Sequence, residues 1–225
     1  MCAVEFASFH IEFRNALETY EATGSGMASL ERIFMMAATN VYFRIALALL
    51  TVVLCLPGCM FKSNTSYSLR RLSVSERTIF FHQATYNSLA YLILTAVQLT
   101  VVFGLSQYYL ANAPAECISN QTITLAFYRN NFLHSLLPLE DIGLWIRNGL
   151  FMIAYGLAVA EFPYRQRRHK FSTTVIALGI YMILSFDQSI GQRFHVITSA
   201  IIVCMVVGDV IYCLIQKDEE VVEDA

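Results

Sequence analysis

Five stretches of this chain are apolar for close to the length of a membrane-crossing helix, and no other feature restricts its fold as much. They are VYFRIALALLTVVLCLPGCMF (41–61), YNSLAYLILTAVQLTVVFGL (86–105), IGLWIRNGLFMIAYGLAVAEF (142–162), FSTTVIALGIYMILSF (from 171, borrowing polar residues out to 188) and VITSAIIVCMVVGDVIYCLI (196–215). Crossing about 30 Å of hydrocarbon takes about 20 mostly apolar residues as helix. None of the runs alternates apolar with polar residues, which excludes barrel strands, and helices are the remaining way to satisfy a backbone in lipid. Charged residues make up only 14% of the chain, against about 25% in a typical soluble domain. The expected fold is all-α: a polytopic membrane bundle of about five transmembrane helices.

Residues 1–39 form a separate segment, 40–217 the transmembrane domain and 218–225 an acidic tail. The first segment carries Glu5, Glu12, Glu18 and Glu21 and lacks the basic start and apolar core of a secretory signal. Phe6, Phe9, Phe13 and Leu17 recur at helical spacing, which predicts a short amphipathic helix ending at the Gly24–Gly26 break.

Basic residues in short loops set orientation. The loop after the first span holds Lys62, Arg70, Arg71 and Arg77, and the loop after the third holds Arg165, Arg167, Arg168 and Lys170. The other two loops hold Arg129 and Arg193. The basic loops are therefore expected in the cytosol, with the N-terminus luminal or extracellular and the acidic tail cytosolic. Asn120-Gln121-Thr122 is a glycosylation sequon in a loop expected to be luminal, so Asn120 is the expected glycan site; Asn64-Thr65-Ser66 falls on the cytosolic side.

Ionisable residues in or beside spans are costly in lipid and are functional candidates by default. Glu140 and Asp141 lie just before the third span and Arg147 with Asn148 lies inside it, while His195 opens the fifth. Glu140, Asp141, Arg147 and His195 are the candidate lipid-headgroup ligands, against the simpler reading that they pair to ease insertion. Arg165, Arg167, Arg168 and Lys170 would contact anionic lipid, each cation contributing about 1 kcal/mol near the surface. Asp209 lies toward the cytosolic end of the fifth span, where a basic residue from the third-to-fourth loop could reach it. No metal, haem, nucleophile or cofactor motif is present, so no catalytic residue, metal or cofactor is expected. A net charge of −2 gives no basis for nucleic-acid binding. Expected partners are membrane lipids and other membrane proteins.

The segment SFDQSIGQRFHVITSAIIVCMVVGDVIYCLIQ, with its polar turn, His-Val helix start and Gly208, Tyr212, Gln216 series, resembles the damage-regulated autophagy modulator (DRAM) family and its relatives in GPI-anchor remodelling. LLPLEDIGLWIRNGLFMIAYGLAVAEFPYRQ resembles the same family's acidic lead-in, second helix and aromatic-basic exit. The resemblance covers about residues 80–217 and makes the second to fifth spans the family's first four helices, with one extra helix before them. NNFLHSLLPLE stands where the family has Pro-Tyr-Ile-Ser-Asp-x-Gly, and the family's last two helices have no counterpart, so the chain resembles a divergent or truncated member.

That resemblance implies a non-catalytic multi-pass protein of the endomembrane system (endoplasmic reticulum, Golgi or lysosome), with the plasma membrane as the alternative site. It would bind lipid or organise membrane in autophagy or in maturation of GPI-anchored proteins. A second class is a transporter or channel subunit using Arg147, Asp187 and Asp209; a third is a fragment of a serpentine receptor. A GPI-lipid hydrolase would need His195 with Asp187 or Glu140, and no motif supplies its nucleophile.

Overall fold

The computed structural model describes residues 1–24, 26–59, 76–166, 172–185 and 192–215, and the side chains within them except those of 57–59, 76, 182–185, 192–196 and 212–214. Among the described residues every regular element is helical. In chain order these are α1 (Cys2–Thr23), α2 (Leu30–Met36), α3 (Thr39–Cys59), α4 (Glu76–Asn112), a 3-10 turn (Ala115–Cys117), α5 (Thr122–Arg129), α6 (Asn131–Leu136), α7 (Ile142–Gln166), α8 (Thr174–Ser185) and α9 (Gln192–Ile215).

Three of these helices are long and apolar enough to cross a membrane: α3 over Thr39–Leu56, α4 over Arg77–Asn112 and α7 over Ile142–Gln166. Their outward faces are apolar. On α3, Val41, Ile45, Leu49, Val52, Val53 and Leu56 are all exposed, a stripe that lipid tails would cover at no cost. The 12 described residues of α8 span about 18 Å at about 1.5 Å per residue, short of the hydrocarbon thickness. α9 contains a shorter apolar stretch, Ile197–Ile211.

α4 has 37 residues and is about 55 Å long, well over the roughly 30 Å thickness of a hydrocarbon core. The apolar run of 86–105 locates its middle only. The segment expected as a long loop between the second and third spans instead contains the end of α4 and two short helices, α5 and α6. These have eight and six residues, too few for periodicity to reveal them.

The chain divides into two compact units. The first comprises Met1–Leu49, Ile93–Trp145 and Tyr181–Gly191. Here α1 exists as the Phe spacing predicts, and Gly24 ends it in a left-handed conformation (φ 62°), its N–H donating to the Tyr20 carbonyl at 2.9 Å. Phe9 packs on Phe34 of α2, and Phe13 packs edge-on against Tyr108 and Tyr109 of α4. Phe9 and Phe13 are buried, whereas Phe6 is half exposed, so the buried face is narrower than the four-residue pattern. Ala38 turns the chain from α2 into α3 with φ 52°, a conformation that costs an alanine on the order of 1–2 kcal/mol. Asn130 joins three elements: its Oδ1 caps α6 by accepting from Phe132 N and Leu133 N, and its Nδ2 donates to the Glu31 carbonyl of α2.

The second unit comprises Leu50–Leu92, Ile146–Ile180 and Gln192–Ala225. Its apolar core includes Phe80 and Ala84 of α4 against Ala160 and Tyr164 of α7. At Gly156 the α7 backbone comes so close to α4 that Asn87 Nδ2 donates to the Gly156 carbonyl. Deeper in the same unit, Thr51 of α3 shares a hydrogen bond with Tyr91 of α4 (2.9 Å) and donates to Tyr155 of α7 (3.1 Å). The three buried hydroxyls satisfy one another and tie three helices together.

Candidate functional site: a buried acid–arginine cluster

The last turns of α7 read AEFPYRQ, which sets Glu161 and Arg165 four residues apart on one helix face. Between them stands Pro163, which has no N–H to give to the carbonyl of Val159. Arg165 donates to Glu161 Oε1 and lies 3.5 Å from Asp209 Oδ1 of α9. Ser172 Oγ donates to Glu161 Oε2 at 3.3 Å, and Thr174 Oγ1 of α8 donates to Asp209 Oδ1 at 3.3 Å. Both carboxyl groups thus approach the same guanidinium. Glu161 is 0% exposed and Asp209 5%, with Ser172 and Thr174 buried beside them.

The arrangement gathers two carboxyl groups, one guanidinium and two hydroxyls from α7, α8, α9 and the segment before α8. Burying an ion costs several kcal/mol after relaxation, and only close pairing with further hydrogen bonds offsets that. Chemically, such a centre can hold or release a proton between its two carboxyls while the guanidinium stays charged. Asp209 and its basic partner were legible in the sequence. Glu161 was not, because a glutamate beside a basic loop reads as interfacial; its i,i+4 relation to Arg165 was the available signal.

The other sequence candidates occupy varied settings. Asp141 caps α7, its Oδ1 accepting from Gly143 N at 2.8 Å and Leu144 N at 3.4 Å. Glu140 is exposed, and its carboxylate beside Tyr128 pushes that phenol above its usual range. Arg147 is 2% exposed, and its Nε and a terminal nitrogen donate to Asn148 Oδ1 at 3.3 and 3.0 Å. Arg165 faces Glu161 and Asp209, as above. Arg167, Arg168, Lys170, Asp187, Asn64 and the tail of 218–225 lie outside the described residues, as does the side chain of His195. Asn120 is exposed, in a turn before α5.

None of the family models, curated proteins or solved structures compared with the chain matches it.

Proposed function

We propose that this chain is a five-span membrane protein in which Glu161, Arg165 and Asp209 form a proton-carrying centre, and that it works as a transporter or channel subunit. Under this reading α3, α4, α7, α8 and α9 all belong to membrane-crossing segments, and the cluster lies toward the cytosolic face. The supporting observation is a glutamate and an aspartate, almost wholly buried, drawn onto one arginine. Ionisable groups placed so are costly and mark ion or proton pathways. Purified protein in liposomes should show proton- or ion-dependent flux that Asp209→Asn and Glu161→Gln each abolish while the protein stays monodisperse. Flux indifferent to both substitutions would remove this reading.

A second reading, lipid binding or membrane organisation in autophagy or in GPI-anchored protein maturation, draws on the buried Arg147 near the start of α7 and on the family resemblance. It places the protein in the endoplasmic reticulum, Golgi or lysosome, with membrane lipids as its partners. Changing Glu140 and Arg147 together should then alter lipid binding, sorting of GPI-anchored proteins or autophagic flux. If all three stay unchanged, lipid handling is not the function.

A further inference from the structure

Glu5 is the least expected side chain in the molecule. It sits in the first turn of α1, is 0% exposed, and accepts a hydrogen bond from Gln98 Nε2 of α4 at 2.7 Å. Gln98 is 1% exposed. One oxygen of each group is thereby used on neither side: Glu5 Oε2 and Gln98 Oε1 are both buried with no hydrogen-bond partner among the described residues. Two acceptor oxygens left over on a carboxylate and an amide already joined by one bond are an unsatisfied pair, each incurring its desolvation cost. A carboxylic acid and a primary amide are complementary when the acid carries its proton: the amide N–H meets one acid oxygen and the acid O–H meets the amide oxygen.

We propose that Glu5 and Gln98 form a proton-operated clasp that latches α1 onto α4. In the latched state a proton from solvent sits on Glu5 Oε2 and is donated to Gln98 Oε1, so both orphan oxygens are satisfied by that one proton. When the proton leaves to solvent, a bare carboxylate is left in an apolar contact, and α1 reaches water by detaching.

The rest of the α1 interface is suited to such a release. It includes Phe9 on Phe34, Phe6 and Phe13 edge-on against Tyr108, Phe13 also on Tyr109, His10 Nδ1 bonded to the Tyr108 hydroxyl at 2.8 Å, Ser8 donating to the Ala37 carbonyl at 3.1 Å, and, at the far end of α1, Tyr20 donating to Glu116 at 3.5 Å. None of these contacts needs Glu5 to be ionised. Three influences act on the Glu5 carboxyl: burial, which is the largest and raises its pKa, then the Gln98 bond and the Met1 ammonium, which lower it. The charges of α2 are Glu31, paired with Arg129, and Arg32; on the adjoining stretch of α4 the titratable groups are Tyr108 and Tyr109. The net result lifts the carboxyl from 4.5 to about 7.

A group raised on docking strengthens docking fully below its free value and loses that contribution as pH climbs to its docked value. Docking of α1 should therefore weaken by up to about tenfold per pH unit between about 4.5 and about 7, then level off. The test is hydrogen exchange on the full-length protein in nanodiscs, reading protection of residues 2–23 against pH after correction for intrinsic rates. Protection of α1 should fall across that window while α7 stays constant. Glu5→Gln, which replaces the acid by a permanent neutral donor and acceptor, should hold α1 protected at every pH. A flat wild-type profile would overturn the clasp even if the variant does not fold. So would a Glu5→Gln profile that falls as the wild type does.

Discussion

A methyl group added at Gly156 would sit 2.1 Å from Ser88 Oγ, 2.7 Å from Ser88 N and 2.8 Å from Ser88 Cα. Two of those atoms are backbone and cannot rotate away, so α4 and α7 must separate to accept it. Gly156→Ala should lower stability by about 1–3 kcal/mol, the usual range for overpacking, as read from unfolding in detergent. Combining it with Ser88→Gly should restore little, because the backbone contacts persist. The acid–arginine cluster makes the opposite kind of demand. Arg165→Met leaves Glu161 and Asp209 without the guanidinium that each approaches, and breaking a buried pair this way costs about 3–5 kcal/mol. Adding Glu161→Gln and Asp209→Asn to that variant should recover most of the loss. At this scale the sequence was least informative. Glu5 and Glu161 look like any solvated glutamate in a string of letters, since burial is decided by partners that lie 93 and 48 residues away, Gln98 and Asp209.

Among the elements, α3, α4 and α7 differ in what surrounds them. Of the membrane-length window in α7, 56% is buried by protein, against 22% in both α3 and α4. Substitutions that only change apolar shape should consequently be tolerated better along α3 than along α7. The hydroxyl triad joining all three should respond to Thr51→Val, which keeps the shape and removes the bridging oxygen from Tyr91 and Tyr155. A loss of about 0.6–2 kcal/mol is expected, matching interhelical hydrogen bonds in membranes. Hydropathy located α3, α4 and α7 because twenty apolar residues are a strong signal, but it missed the true length of α4. Its flanks carry Arg77, His82, Gln107 and Asn112, whose polarity ends an apolar run without ending a helix. α1 was visible through Phe9 and Phe13, whose spacing needs only local periodicity. α5 and α6 were invisible, since their turns are fixed by Asn130 and by contact with α2 rather than by any repeat in their own residues.

For the whole molecule, orientation is the property on which the proposed functions depend, and charge counting alone assigns it. Asn120 is exposed and should carry a glycan, whereas Asn64 should not. Glycosidase digestion should therefore shift the protein from cells, and Asn120→Gln should abolish that shift while Asn64→Gln leaves it intact. A glycan on Asn64 would invert the arrangement and move the Glu161–Asp209 centre to the other face. The close approach at Gly156 also has a consequence for inheritance. Every missense change of a glycine codon adds at least a Cβ, and Gly104, Gly149 and Gly208 each have open space where that atom would go. Natural variation in a population should therefore accumulate at those three codons and be purged at the codon for Gly156. That close approach of α4 and α7 would then show up as a gap in a map of alleles.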